Sequence, residues 1–256
     1  MTQSIPARFK ADARSEVGLH RNGNEDSALI NGVLIAVADG MGGHAGGEVA
    51  SKVAITTLAQ ILPLLNNDEM DPESLEDFLL SALLDVDDEI KITAEADDRL
   101  SGMGTTLTSI ALYRDKAYVL HIGDSRAYRL RGKEFTQLTK DHSVVQELID
   151  AGTISEAEAA THPQRSVLTN VLMGHGNITP LLIEHDVKAG DKFLLCSDGL
   201  SNVISNQELA RLIAQPDAVS KLISLTYERG APDNITVVLA EVGSGDSATQ
   251  FLGAAK

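Results

Sequence analysis

Residues 28–40 read ALINGVLIAVADG, two apolar runs joined by an Asn-Gly pair and followed by Asp39 and Gly40. An Asn-Gly pair between apolar runs is the strongest short-range signal of a β-hairpin. The stretch therefore predicts two antiparallel strands, with Asp39 at the end of the second.

Helical spacing follows the hairpin. Apolar positions recurring from residue 47 onward predict a helix that ends near Pro63. A second helix is predicted to begin at Asp71-Pro72, a capping residue followed by proline at the first helical position, with its apolar face over residues 75–86. Both helices are expected to lie half-buried against a sheet.

Short strands and helices alternate in the rest of the chain. Residues 105–139 predict a meander of antiparallel strands, and residues 143–173 return to helical spacing as an insertion. Strands are predicted again over residues 193–196 and 235–240, with two helices between them. The sum is an α+β domain in which helices cover antiparallel sheets. Residues 242–256 lose periodicity and are expected to form a flexible tail.

The composition excludes several classes of protein. The 256 residues include 37 Asp and Glu against 21 Lys and Arg, a formal net charge of −16, and 4% aromatic residues. Nucleic-acid binding is disfavoured because it needs cations and stacking surfaces. Binding to an acidic membrane surface is disfavoured for the same electrostatic reason. With neither a long apolar run nor an apolar signal core, the chain is expected to be cytoplasmic. No internal repeat or linker divides it, so a single domain is expected, and a monomer is expected because no clear oligomerisation segment is present.

Sulfur chemistry and covalent catalysis are also disfavoured. Cys196 is the single cysteine, so it forms neither an internal disulfide nor a thiolate zinc cluster, and its apolar surroundings indicate a core residue. Ser125 resembles a degenerate nucleophile elbow, but residues 127–130 continue as a strand instead of a helix. Any metal must therefore be bound by oxygen or imidazole.

Four aspartates lie at predicted strand ends beside glycine or another turn-forming residue: Asp39, Asp124, Asp198 and Asp233. In an antiparallel arrangement these ends can meet at one edge. Close carboxylates repel each other unless cations neutralise them. Hard divalent cations prefer oxygen ligands, which favours Mg²⁺ or Mn²⁺. One Asp-Gly pair is a bland observation, but four such aspartates together indicate a site.

A second cluster of charges lies at residues 21–27, which read RNGNEDS. The simplest interpretation is a polar turn with an ion pair of little energetic value. The functional interpretation is that Arg21 supplies a guanidinium fork for phosphate, beside Glu25 and Asp26, which would orient metal-bound water.

The glycine-rich stretch at residues 39–48, DGMGGHAGGE, allows a third interpretation. Residues 40–45 fit the loose G-x-G-x-x-A pattern of a dinucleotide loop, a weak match without an acidic residue about 20 positions on. A P-loop is excluded because Glu48 stands where lysine is required. The glycines are instead predicted to form a sharp turn that brings the Gly40 carbonyl to a metal.

These motifs, in this order, resemble the metal-dependent protein phosphatases of the protein phosphatase 2C family, and the MGG at 41–43 resembles its bacterial branch. The resemblance covers about residues 11–241. It rests on RNGNEDS at 21–27, VADGMGG at 37–43, GMGTT at 102–106, GDSR at 123–126, LTKDHS at 138–143, SDGL at 197–200 and DNIT at 233–236. It implies a four-layer α-β-β-α sandwich of two antiparallel sheets flanked by helices. It also implies one catalytic domain over residues 1–241, with a mobile helical flap over residues 141–175.

The resemblance implies metal-binding roles for matching positions. Asp39 would bridge two ions, the Gly40 carbonyl would bind one of them, and Asp198 and Asp233 would bind the other. Asp124, with Asp198, matches an additional weaker metal site. The ions would be Mn²⁺ or Mg²⁺.

The resemblance also implies a mechanism. Glu25 and Asp26 match acids that hold metal-bound waters, and Arg21 matches the phosphate-binding arginine. Two divalent cations would lower the pKa of a bridging water, and the hydroxide would attack phosphorus in line.

One position departs from the family pattern. Animal members carry a histidine, a proposed general acid, where this chain has Met41. His44 is therefore predicted to supply the leaving-group proton, with a metal-bound water as the alternative, and His162 in the flap is expected to approach the substrate.

The implied function is hydrolysis of phosphoserine and phosphothreonine in phosphoproteins, in opposition to a bacterial Ser/Thr kinase and acting on its targets. A non-catalytic binding module of the same fold is one alternative. Lost chemistry would be expected to show as a substituted metal aspartate, whereas Asp39, Asp198 and Asp233 are all present. A nicotinamide oxidoreductase is the other alternative, and failure to retain that cofactor on purification would dispose of it.

Overall fold

The computed structural model describes residues 7–42, 46–67, 70–245 and 247–256. Its strands are, in chain order, β1 (Arg8–Glu16), β2 (Asp26–Ile30), β3 (Leu34–Met41), β4 (Gly104–Thr105), β5 (Leu107–Tyr113), β6 (Lys116–Ile122), β7 (Arg126–Arg131), β8 (Glu134–Gln137), β9 (Leu181–Asp186), β10 (Lys192–Cys196), β11 (Ile235–Gly243) and β12 (Gln250–Gly253). Its α-helices are α1 (Gly46–Leu58), α2 (Leu62–Leu65), α3 (Pro72–Ala96), α4 (Val144–Asp150), α5 (Glu156–Ala159), α6 (Asp198–Ser201), α7 (Asn206–Ile213) and α8 (Ala218–Glu228).

The strands form two antiparallel sheets. Sheet 1 has the strand order β1-β11-β10-β7-β8, and sheet 2 has the order β12-β2-β3-β5-β6-β9, with β4 paired to β3. The Asn-Gly hairpin predicted from the sequence is present as β2 and β3, with Ile30 opposite Ile35. The predicted meander is divided, because β5 and β6 pair in sheet 2 whereas β7 and β8 pair in sheet 1. The chain changes sheets at Gly123-Asp124, between β6 and β7.

Side chains alternate along the apolar strands and so contribute to two cores at once. Ile35 and Val37 of β3 lie in the core between the sheets, whereas Leu34 packs in the core beneath α1 and α3. In β10, Phe193 lies between the sheets and Leu194 packs beneath α7 and α8. The layers are therefore helix, sheet 2, sheet 1 and helix, which confirms the predicted four-layer sandwich.

The helical stretch Gly46–Leu65 is long and apolar enough to cross a membrane by length and composition alone. However, its residues Ala50, Ile55 and Leu58 are buried in the core against sheet 2 and α3. An apolar face of this kind is what a helix packed on a sheet requires. The packing therefore accounts for the apolar composition of this stretch.

The flap, residues 141–175, contains α4 and α5. The sequence predicts helical spacing as far as residue 173, and this prediction is wrong for the last part. There, Leu168 forms an isolated β-bridge with Ser143, and Leu172 forms one with Thr105 of β4. These bridges close the base of the flap and join its C-terminal end to sheet 2.

A buried carboxylate on α3 holds the segment at the C-terminal end of the flap. Asp87 is only 1% exposed. Its Oδ1 accepts hydrogen bonds from the N–H groups of Met173 and Gly174 at 3.0 and 2.7 Å. Its Oδ2 accepts from the Gly176 N–H at 2.8 Å. These three donors offset the cost of removing the carboxylate from water.

The prediction of a flexible tail over residues 242–256 is wrong for much of that stretch. Strand β11 continues to Gly243, and Gln250–Gly253 forms β12, which pairs antiparallel with β2. The Ala254 N–H then donates to the Asp26 carbonyl at 2.8 Å. Residues 250–253 are ordered because their backbone pairs with N–H and C=O groups along β2 that would otherwise form a sheet edge.

Candidate active site

Five aspartates meet where the ends of the two sheets face each other. Asp26 of β2 and Asp39 of β3 are directly opposite in sheet 2. On sheet 1, Asp124 precedes β7, Asp198 follows β10 and Asp233 precedes β11. The carboxyl groups of Asp39 and Asp198 are close enough across the two sheets to repel each other. The structure thus brings together the four aspartates predicted from the strand ends and adds Asp26 to them.

Burial is the largest cause of raised carboxyl pKa values in this cluster. It raises the pKa of Asp26 to about 7, of Asp124 to about 8 and of Asp198 to about 6, and repulsion from neighbouring aspartates adds to each rise. Burial also raises the pKa of Asp39 well above its usual value, followed by repulsion from the other four aspartates. The cluster therefore holds more negative charge than the fold alone tolerates at neutral pH.

Asp26 forms the floor of the cluster. It is 1% exposed, and its Oδ2 accepts a hydrogen bond from the Ser197 hydroxyl at 2.7 Å. The Ser197 Oγ in turn accepts from the Thr236 N–H at 3.0 Å. This chain of hydrogen bonds ties β2 of sheet 2 to β11 of sheet 1 directly beneath the site.

The donor set of the cluster fits hard divalent cations. Its side-chain donors are carboxylate oxygens, and cations would relieve the repulsion that raises the pKa values. Across the residues that the structure describes, no three His, Cys, Asp or Glu side chains are arranged to enclose an ion by themselves. Backbone carbonyls and water would have to complete each coordination shell, as is usual for Mg²⁺.

Arg21 lies at the rim of the cluster, with its side chain 44% exposed. Its guanidinium donates to Asp233 Oδ2 at 2.5 Å. The loop that carries it approaches closely, because the Cβ of any residue replacing Gly18 would lie 2.0 Å from the Asp233 carbonyl oxygen. A half-exposed guanidinium fixed beside buried carboxylates is suited to bind a phosphate that reaches them.

Asn234, in the DNIT stretch at residues 233–236, is a site residue to which the sequence alone assigns no role. It is 3% exposed, and its Oδ1 accepts from the Glu25 N–H while its Nδ2 donates to the Gly23 carbonyl, both at 2.9 Å. Its own N–H donates to Asp233 Oδ1 at 2.8 Å. Asn234 thus fixes the loop carrying Arg21 and Glu25 against Asp233.

Two threonines that the sequence analysis also left without a role position Asp39. The Asp39 N–H donates to Thr106 Oγ1 at 3.0 Å, and the Thr106 N–H donates to the Asp39 carbonyl at 2.9 Å. The Thr105 hydroxyl donates to the same carbonyl at 2.9 Å. Both residues belong to the GMGTT stretch, whose place in the ordered motif set was the available signal.

The predicted sharp turn does not include Gly40; the chain leaves β3 after Met41, where Gly42 has a φ of +131°, and residues 43–45 lie outside the described residues. Asp39 and Gly40 lie inside β3, which continues to Met41 and pairs with β4, so Asp39 is not at the end of its strand. Glycine is needed at 40 for close packing, because a Cβ there would lie 2.1 Å from the Gly47 carbonyl oxygen and 2.6 Å from that of Glu25. Gly40 thereby seats the first turn of α1 beside the site.

The structure describes only one of the two predicted histidines, and it does not place that one, His162, at the cluster. His44 lies outside the described residues. His162 is part of the flap's own turn, where its Nδ1 accepts from the Gln164 N–H at 3.2 Å. Arg165, not His162, lines the cleft of about 750 Å³ between the flap and the sheet 1 aspartates.

The structure agrees with the exclusion of covalent catalysis at the two positions considered. Cys196 is fully buried, and burial raises the pKa of its thiol to about 12. Ser125 is fully buried, with its Oγ 2.8 Å from Thr106 Oγ1. Neither side chain is a reactive, accessible nucleophile.

The raised pKa values predict that metal-free protein loses stability between pH 6.5 and 8. In this range the folded state still binds protons at Asp26 and Asp124, whose pKa values are about 7 and 8, whereas the unfolded carboxyls titrate near 4. The unfolding free energy then falls with rising pH. Buried histidines such as His121 act with the opposite sign, but only below their unfolded pKa of about 6.5.

We expect Tm in a chelator to fall by about 5 °C over this range, on the order of 2 kcal/mol for a chain of this length. Differential scanning calorimetry measures the effect. Added Mn²⁺ should reverse it at pH 8 by binding the folded state, and Asp26→Asn should flatten the pH dependence. A Tm that is constant or rises from pH 6.5 to 8 would contradict the electrostatic account.

Comparison with known sequences places the site in context. The sequence profile described as protein phosphatase 2C matches residues 24–240. The serine/threonine protein phosphatase PstP of Mycobacterium tuberculosis is 44% identical over 233 residues, which are 90% of this chain and 44% of that protein. The serine/threonine phosphatase stp of Listeria monocytogenes is 34% identical over 244 residues, 90% of this chain and 95% of that protein. The chain thus spans less than half the length of the first relative.

A solved structure shares the same arrangement of layers. The catalytic domain of the serine/threonine protein phosphatase PstP, in complex with two manganese ions, superposes with a TM-score of 0.83 at 40% identity. The match covers 92% of this chain and 99% of that one. The five aspartates and Arg21 therefore lie in a fold that carries two manganese ions in a related protein.

Proposed function

The chain belongs to the protein phosphatase 2C family, and from this premise we propose that it hydrolyses phosphoserine and phosphothreonine in proteins with the help of divalent metal ions. The observation that carries the proposal is the convergence of five repelling aspartates from two sheets, with the half-exposed Arg21 at their rim. A phosphate dianion needs a site that offsets this negative charge, and divalent cations are the groups that the oxygen donors fit.

We assign the predicted ligands as follows. Asp39 would bridge two Mn²⁺ or Mg²⁺ ions, with the Gly40 carbonyl on one and Asp198 and Asp233 on the other, and Asp124 would share a weaker third ion with Asp198. When bound, these ions supply a water of lowered pKa and positive charge opposite the phosphoryl oxygens. Asp233 can serve both an ion and Arg21, because a carboxylate offers about four lone pairs.

The residues around the ligands would orient the phosphate, hold water at the site and supply a proton. Arg21, anchored by Asp233, would bind and align the phosphoryl oxygens. Glu25 would hold water at the site from its place beside α1, and Asp26 would do so from the floor, where Ser197 fixes its carboxyl group. His44 is our candidate for the group that gives a proton to the leaving hydroxyl of serine or threonine.

The biological setting is a further part of the proposal. The substrates would be phosphoproteins, specifically the targets of a bacterial Ser/Thr kinase that this chain opposes. The support is the serine/threonine phosphatase names of its relatives. We propose a cytoplasmic monomer, supported by the acidic sequence and its single buried cysteine.

The deciding experiment is hydrolysis of a phosphothreonine peptide by metal-stripped protein, before and after addition of Mn²⁺ or Mg²⁺. We expect activity only with the metal, and its loss in Asp39→Ala. A folded protein that binds Mn²⁺ but releases no phosphate would contradict the proposal and favour a non-catalytic binding module of the same fold.

Arg21→Ala should raise KM for the phosphopeptide and lower kcat/KM by about 10- to 100-fold, because charged hydrogen bonds are worth roughly 1.5–3 kcal/mol. Steady-state kinetics measure this change. Arg99→Ala is the control, since the Arg99 side chain is 88% exposed and pairs with Asp97 at a site distant in sequence from the cluster. Unaltered kcat and KM in Arg21→Ala would remove the phosphate-binding role.

A further inference from the structure

The segment that enters the flap, residues 140–142, is held by two residues that flank the Gly123-Asp124 crossover. The His121 Nε2 donates to the Lys140 carbonyl at 3.0 Å. Arg126 donates to both carboxylate oxygens of Asp141, at 2.8 Å from Nε and 2.6 Å from Nη2. This flap-entry segment and the crossover that carries Asp124 are thus packed as one unit.

His142 makes the contact closest in sequence to Asp124. Its Nδ1 accepts a hydrogen bond from the Gly123 N–H at 3.1 Å, and the backbone N–H of His142 donates to the Gly123 carbonyl at 2.7 Å. A backbone N–H can only donate, so this Nδ1 must be unprotonated. The His142 ring thus accepts from the N–H of Gly123, and the His142 backbone donates to the carbonyl of Gly123.

A second histidine fixes the plane of the ring. The imidazoles of His121 and His142 are stacked, with centroids 5.0 Å apart and an interplanar angle of 28°. His121 is fully buried, and its Nδ1 lies 2.9 Å from the Thr108 hydroxyl. Its Nε2 faces the Lys140 carbonyl and must therefore be protonated, while its Nδ1 and the Ser125 carbonyl share the single hydroxyl proton of Thr108. The orientation of His142 is therefore set by residues of sheet 2.

Gly123 needs this support because its conformation is special. Its φ is +107°, and a Cβ at this position would lie 2.4 Å from the Thr106 side chain. The next residue, Asp124, is close enough to Asp198 for their charges to repel. A rotation of the Gly123-Asp124 peptide would therefore change the distance between these two carboxylates.

We propose that His142 is a positioning residue of this phosphatase: its Nδ1 holds the Gly123 amide and thereby keeps the Asp124 carboxylate directed at Asp198, where the weaker metal ion would bind. The inference rests on the proposed function, from which the role of Asp124 is taken. His142 itself touches neither phosphate nor ion. It links the entry of the flap to a metal ligand.

Other contacts separate this role from general support of the flap. The Arg126–Asp141 pair holds the entry segment without His142, and the Ser143–Leu168 bridge closes the base of the flap. Removing the imidazole therefore leaves the flap attached, and the groups that lose a partner are the Gly123 amide and the stacked ring of His121.

The test compares two amides at this position. In His142→Asn, the side-chain oxygen can occupy the position of Nδ1 and accept from Gly123. In His142→Gln, the longer side chain carries its oxygen past that position. Mutation of a residue that supports a metal ligand through hydrogen bonds typically lowers metal affinity or activity by 10- to 100-fold. We expect calorimetric Mn²⁺ titration to show at least about 10-fold weaker binding at the weakest site in the glutamine variant, and within about 3-fold of wild type in the asparagine variant.

The kinetic expectation follows the same division. The glutamine variant should need more Mn²⁺ for half-maximal activity, with little change in KM for the phosphopeptide at saturating metal. The asparagine variant should be restored on both measures. Equal losses in the two variants, or unchanged Mn²⁺ binding in His142→Gln, would overturn the proposal.

A measurement on the unaltered protein protects the test against variants that do not fold. The ¹⁵N spectrum of His142 should show an unprotonated Nδ1, and the Gly123 amide should exchange slowly with solvent. A protonated Nδ1 or a rapidly exchanging Gly123 amide would overturn the proposal. Neither observation depends on hydrolysis, so a wild-type protein that fails to release phosphate contradicts the proposed function without deciding this inference.

Discussion

Asp198→Asn should lower kcat/KM for a phosphothreonine peptide by about 10³-fold or more at limiting Mn²⁺, because metal-ion catalysis is worth several kcal/mol and each 1.36 kcal/mol is a factor of ten. Asp198 is close to aspartates from both sheets, since its carboxylate is repelled by Asp39 of sheet 2 and by Asp233 and Asp124 beside sheet 1. Loss of its charge would weaken both proposed shared sites at once.

The fold should survive this change. Asp198 has its pKa raised by burial and by its neighbours, so neutralising it relieves repulsion in the metal-free protein. We expect Tm in a chelator to be unchanged or higher, while calorimetry shows weaker Mn²⁺ binding. The matched control is Asp115→Asn, an exposed aspartate in the turn between β5 and β6, at the other end of those strands. Unchanged turnover at limiting metal would remove Asp198 from the site.

Asp87→Ala should lower the free energy of unfolding by about 3–5 kcal/mol. The substitution leaves the N–H groups of Met173, Gly174 and Gly176 without the acceptor that the structure gives them. An unsatisfied donor costs about 1–3 kcal/mol when buried, and less for the exposed Gly176 than for the partly buried Met173 and Gly174. Urea denaturation measures the change.

Two further variants make the Asp87 prediction specific. Asp88→Ala, at the adjacent exposed position of α3, should change stability by no more than about 0.5 kcal/mol. Asp87→Asn should be intermediate, because its one oxygen can still accept from Met173 and Gly174 while its amide faces the Gly176 N–H. If Asp87→Ala costs no more than Asp88→Ala, the three hydrogen bonds contribute nothing net to stability.

Much of the fold was predictable because its strands are apolar runs bounded by turn residues. Residues 33–38 and 193–196 could be recognised as strands, and the aspartates beside them as a cluster, from local pattern alone. Local pattern does not show which strands pair with each other. The short, partly polar β12 is ordered by pairing with β2, more than 200 positions away in the chain, and the division of the meander between sheets depends on packing.

The residues that local pattern does not assign, one supporting the flap and one in the site, differ in how visible they are in the sequence. Asp87 follows Leu83 and Val86 and precedes Ile90 on the buried stripe of α3, so a lone carboxylate at helical spacing was a usable signal. Asn234 gave no such signal beyond its place after Asp233. Its contribution is to hold the loop that carries Glu25, more than 200 residues away, which becomes apparent only in three dimensions.

The division of the aspartates between two sheets has an evolutionary consequence. Asp26 and Asp39 belong to sheet 2, whereas Asp124, Asp198 and Asp233 belong to sheet 1. Any sliding of one sheet over the other changes the spacing of these groups, and that sliding is resisted by the core between them, which includes the edge-to-face pair Phe9 and Phe193. We therefore expect selection on catalysis to extend to residues that never meet a substrate, so that the interior of the sandwich is under the same constraint as the chemistry at its edge.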